Sequence, residues 1–99
     1  VNIPTKVKVG KTWYNVNTFK HMHTKGAMGG VWYKDAVIEI ATHSNIRNVR
    51  FKREEIYDTF WHELTHAILK DMGSPLESDE KFVTAFSQRL NKAILSARF

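Results

Sequence analysis

The sequence predicts an α+β domain, strands first and helices after. Two observations carry this: short alternating apolar and polar runs up to about residue 41, then helical apolar periodicity from about Arg53 onward. A third is the punctuation at Gly73-Ser74-Pro75, which divides the helical part into two helices.

Residues 5–19 read as a β-hairpin. Val7 and Val9 alternate with Lys6 and Lys8, Gly10-Lys11 can turn the chain, and Thr12-Trp13-Tyr14-Asn15-Val16 supplies a β-prone return strand. Residues 20–30 hold two His, two Met and three Gly and read as loop. Val31-Trp32-Tyr33-Lys34 and residues 36–41 read as strands around a bend at Lys34-Asp35. Residues 42–52 are polar and basic connection.

From Arg53 to Met72, Ile56, Phe60, Leu64, Ala67 and Ile68 recur at spacings of three and four, with Gly73 at the expected C′ position. Ser78 is the expected N-cap of the second helix. Asp79 and Glu80 follow in its first turn, and Phe82, Val83, Phe86, Leu90, Ala93, Ile94 and Ala97 form its apolar stripe. Trp13, Trp32 and Trp61 are expected in the core.

The 99 residues suit one domain, and 42% hydrophobic content suits one modest core. Absent cysteine removes disulfides and thiolate ligands and fits a reducing compartment. No apolar run approaches the roughly 18 residues of a membrane span, so a soluble, cytoplasmic protein with no membrane partner is expected. Net charge is +5, concentrated in Lys6, Lys8 and Lys11 and in Arg47, Arg50, Lys52 and Arg53. Such a surface can attract nucleic acid. No nucleic-acid motif accompanies it, so a solvated basic face is the favoured reading.

The chemistry lies in His62-Glu63-Leu64-Thr65-His66. On a helix, His62 and His66 stand about 40° apart around the axis, so both imidazoles can bind one zinc ion. Ile56, Phe60, Leu64 and Ala67 point the other way, turning the histidines toward a cleft. Glu63 then sits beside the metal, where its carboxylate can take a proton from zinc-bound water and pass it to a leaving amine. A catalytic zinc usually has three protein ligands and an open position. Asp71, Glu77, Asp79 and Glu80 are the candidates for the third; Asp71 points toward the apolar side of its own helix and reads first as a core-edge or capping residue, and spacing alone does not choose among the other three.

The chain resembles the small zincin-like metallopeptidases of phages and bacteria, similar in pattern to ImmA/IrrE-type and SprT-like domains. The resemblance rests on Val7 through Val16, Gly30-Val31-Trp32-Tyr33, Val37-Ile38-Glu39-Ile40, Thr59 through Leu69, and Asp79 through Phe86. Only the His-Glu-x-x-His segment is highly specific. The resemblance implies that Glu80 is the third ligand, ahead of Glu77 and Asp79. It also implies that the strand near residues 36–41 edges the cleft, where a peptide or protein substrate adds as an extended strand.

The expectation is therefore a one-domain zinc peptidase with His62, His66 and Glu80 on one zinc and Glu63 as general base. The rival is a phage-type interaction protein that keeps the metal but binds a host factor without turnover. Tyr33, Tyr57, His43, His21 and His23 are chemically able to stabilise an oxyanion, but read first as partly buried aromatics or surface histidines.

Overall fold

The computed structural model describes residues 3–21, 28–44 and 46–99. Four strands, β1 (Lys6–Val9), β2 (Thr12–Phe19), β3 (Gly29–Trp32) and β4 (Val37–Ala41), precede two helices, α1 (Arg53–Asp71) and α2 (Glu80–Ser96). A 3-10 turn at Pro75–Ser78 joins the helices. The architecture is α+β, as the change of period predicts.

The β1–β2 hairpin forms in the expected register, with Val9 opposite Thr12 across Gly10-Lys11. Gly10 adopts φ +58°, the left-handed conformation that two-residue hairpin turns favour and that glycine adopts without strain. The sheet order is β1-β2-β4-β3, with β2 and β4 parallel and β3 antiparallel to β4. The chain runs out to the edge as β3 and returns as β4 between β3 and β2. Ile38 and Ile40 of β4 are fully buried and centre a core of Val9, Tyr14, Val16, Ile56, Phe60 and Ala67.

This order corrects one expectation. The strand at residues 37–41 does not edge the cleft, because β2 and β3 occupy both of its sides. The edge strand on that side is β3, and it starts at Gly29 rather than Val31.

Helix α1 begins with Glu55 accepting the Lys52 backbone N–H (2.9 Å). It ends in a Schellman motif: Gly73 (φ +67°) donates to the Lys70 carbonyl and Ser74 to the Leu69 carbonyl, both at 3.0 Å. Ile56, Phe60 and Ala67 face the sheet as the stripe predicts, whereas Ile68 is largely exposed and Leu69 is buried.

Helix α2 departs further from its sequence pattern. Its N-cap is Asp79, not Ser78: the Asp79 carboxylate accepts the Phe82 N–H at 3.0 Å. Its buried line is Val83, Ser87 and Asn91, while Phe86 is 47% exposed and Ile94 is half exposed. Packing against α1 requires small side chains and a hydrogen bond, here from Asn91 Nδ2 to the Glu54 carbonyl (3.1 Å). The bulky stripe therefore sits to one side of the contact.

Trp61 packs against the core, but Trp13 and Trp32 do not belong to it: they are 56% and 43% exposed. Among the described residues α1 is the only helix that touches the strands, so one sheet face has no helical cover. Trp13 and Trp32 lie on that face. No described helix is long and apolar enough to cross a membrane.

Candidate metal centre

The packing of α1 against α2 brings the histidine pair to the first turn of α2. His62 and His66, one turn apart, hold their rings 5.1 Å between centroids. Glu80, the first residue of α2, continues that helix's α1-facing line and meets both. Its carboxylate lies 3.0 and 3.2 Å from His62 Nε2 and 2.5 Å from His66 Nε2. These three residues are the one group among the described residues whose donor atoms are mutually close enough to hold an ion, all within 4.8 Å.

The donor set fits zinc. Bonds of 2.0–2.2 Å in tetrahedral geometry put donor atoms about 3.4 Å apart. The Glu80 side chain is mostly exposed, so it can draw back from His66 by the roughly 1 Å that this spacing requires. The tautomer also fits. His66 Nδ1–H donates to the Glu77 backbone carbonyl at 2.8 Å, which leaves Nε2 as the ligating nitrogen of the neutral ring.

The other three carboxylates are placed elsewhere. Glu77 accepts the Tyr33 hydroxyl at 2.7 Å and lies 3.5 Å from His66 Nδ1, on the side of the ring away from the cluster. That hydrogen bond, chiefly, holds the Glu77 carboxyl below its ordinary range. Asp79 caps α2. Asp71 packs its carboxylate against Gly10 in the hairpin turn, so closely that a Cβ at Gly10 would collide with it. Geometry thus separates Glu80 from Glu77 and Asp79, which spacing leaves equal, and gives Asp71 the core-edge place expected of it.

Glu63 lines the same cleft from the sheet side and is only 8% exposed. Burial is the main cause that pushes its carboxyl up to about 7; His66 opposes this and Glu80 adds to it. A bound dication would favour the ionised form. The stem of Glu63 packs on the edge strand at Gly29. A Cβ there would stand 2.7 Å from Thr59 Cγ2, 3.0 Å from the Glu39 carbonyl and 3.3 Å from Glu63 Cγ. Gly29→Ala should therefore destabilise the domain by about 1–3 kcal/mol, through overpacking of backbone against α1. Urea unfolding checks this; an unchanged midpoint would mean that the strand and helix can separate freely.

The cleft has a volume of about 520 Å³ and is walled by Met28 and Gly29 of the edge segment, Asp58, His62, Glu63 and His66 of α1, and Glu80, Thr84 and Gln88 of α2. Asp58, Thr84 and Gln88 are not singled out by the motif. The signal for them is periodic: Asp58 is one turn before His62, and Thr84 and Gln88 are one and two turns after Glu80. Burial raises the Asp58 carboxyl and His62 opposes that shift.

Of the oxyanion candidates, Tyr33, Tyr57, His43 and His21 do not line the cleft. Tyr33 donates to Glu77, and its hydroxyl is raised well above the ordinary range by burial and then by that bond. The Tyr57 hydroxyl is buried with no hydrogen-bond partner among the described residues. His43 contacts Thr42 Oγ1 at 2.8 Å, and His21 packs edge-on to it at 6.3 Å. His23 lies outside the described residues. Comparison with protein-family models, with curated proteins and with solved structures finds no match to this chain.

Proposed function

We propose that the chain is a zinc-dependent peptidase of zincin-like type. The observation that carries the reading is the convergence of His62 Nε2, His66 Nε2 and the Glu80 carboxylate in an open cleft beside the buried carboxylate of Glu63. His62, His66 and Glu80 would hold the ion. When bound, zinc supplies a Lewis acid that polarises a carbonyl and makes water more acidic.

The chain's own residues account for the remaining roles. Glu63 accepts the proton of the attacking water and returns it to the departing amine, so the carboxylate is regenerated at each turnover. The Glu77 carbonyl fixes the His66 ring, and the Tyr33 hydroxyl holds Glu77 in place. Among the described residues strand β3 is paired on one side only, by β4, and its other edge could take an extended peptide. Substrate backbone bonded there would lie along the Met28–Gly29 wall of the cleft, with Thr84 and Gln88 opposite.

Incubation of the zinc-loaded protein with a mixed peptide library, read by mass spectrometry, tests the proposal. Cleavage that stops on chelation and returns with zinc is expected. Zinc-loaded protein that leaves every library member intact would contradict turnover and favour the reading as a binding protein.

A further inference from the structure

We propose that the face of the sheet opposite α1, which no described helix covers, is a binding platform for single-stranded nucleic acid. The strand registers define what this face carries. Trp32 of β3 is opposite Val37 of β4, which is opposite Asn15 of β2, which is opposite Lys6 of β1. One step along, Trp13 of β2 is opposite Lys8 of β1. One step the other way, Asn17 is opposite Glu39, the sole acid in these rows. Alternation puts all of these side chains on one face and Tyr14, Val16, Ile38 and Ile40 on the other, against α1.

Both tryptophans are substantially exposed, which burial in a core would not allow. The ammonium groups of Lys6 and Lys8 stand 5.6 and 5.8 Å from the Trp13 ring centre. The face therefore combines two partly exposed indoles, two ammonium groups over one of them and amide side chains at Asn15 and Asn17. That combination matches a ligand with flat rings and an anionic backbone. Strand spacing puts about 10 Å between β2 and β3, which leaves room for a base on each indole. A protein partner would match it less well, because lysines are depleted from the centres of protein interfaces. A duplex hides the faces of its bases, so single strands are the form that can stack here. The net charge of +5 supports approach of a polyanion.

Fluorescence anisotropy of a labelled oligothymidylate with the intact chain tests this. Binding that weakens with salt is expected, and it should exceed binding to the same strand in a duplex. Trp13→Ala should weaken it about 5- to 150-fold without changing the salt slope, and Trp13→Phe should retain most of it. The Lys6→Gln, Lys8→Gln double variant should reduce the slope by about 1.4, since each phosphate contact to a single strand contributes about 0.7. Circular dichroism of each variant establishes that it is folded; these side chains are exposed and leave the core intact. No binding by the wild type at low salt would overturn the proposal. So would full affinity in Trp13→Ala, tighter binding to the duplex, or loss confined to an Arg47→Gln, Arg50→Gln variant, which would move the contact to the loop.

Discussion

Glu63→Gln should keep the fold and one zinc per chain while lowering peptide hydrolysis by about 100- to 10,000-fold. The magnitude is that of a lost general base. The substitution is nearly isosteric and the site is tight, with Glu63 packed against Gly29 and only 8% exposed. Shape is therefore preserved and only proton affinity is removed. Burial that raises a carboxyl, as here, also means that the neutral amide is accommodated at little cost to stability. The measurement is the cleavage rate of a verified substrate, with zinc content determined on the same samples. Wild-type turnover in the variant would assign the base elsewhere.

Glu80→Ala should weaken zinc binding far more than Glu77→Ala or Asp79→Ala, because it alone leaves the ion with two protein ligands. The neighbours should fail in different ways. Asp79→Ala removes the cap that accepts the Phe82 N–H and should cost about 1 kcal/mol of stability with zinc affinity nearly intact. Glu77→Ala removes the acceptor of the Tyr33 hydroxyl but leaves the backbone carbonyl that orients His66. Its effect on affinity should be modest. Competition with a chelator ranks the three; near-normal affinity in Glu80→Ala beside a large loss in either neighbour would overturn the assignment.

The strand-then-helix order, the Gly10-Lys11 hairpin and the Gly73 stop were legible in the sequence because each rests on local rules. Hairpin register follows from alternation and the turn, and the Schellman ending follows from glycine's access to positive φ. The proximity of His62 and His66 was legible for the same reason, since it needs only helical geometry.

What the sequence hid was set by packing between distant elements. The exposure of Trp13 and Trp32 depends on which sheet face α1 covers, and a β-prone aromatic reads alike on either face. The cleft edge passed from β4 to β3 because β4 inserted between β2 and β3, an ordering that local patterns do not encode. In α2 the largest side chains drew the apolar stripe to Phe82 and Phe86, yet the contact line runs through Val83, Ser87 and Asn91. Close helix approach selects small residues there, and that line is also what turns Glu80 toward the histidines.

Zinc uptake by the metal-stripped protein, measured by titration against a chromogenic chelator alongside the His62→Ala variant, decides whether His62, His66 and Glu80 form a metal site. One tightly bound zinc per wild-type chain is expected, with at least a tenfold loss of affinity in His62→Ala and a higher unfolding temperature for the loaded wild type. No stoichiometric uptake by the wild type, or equal uptake by the variant, would contradict that site.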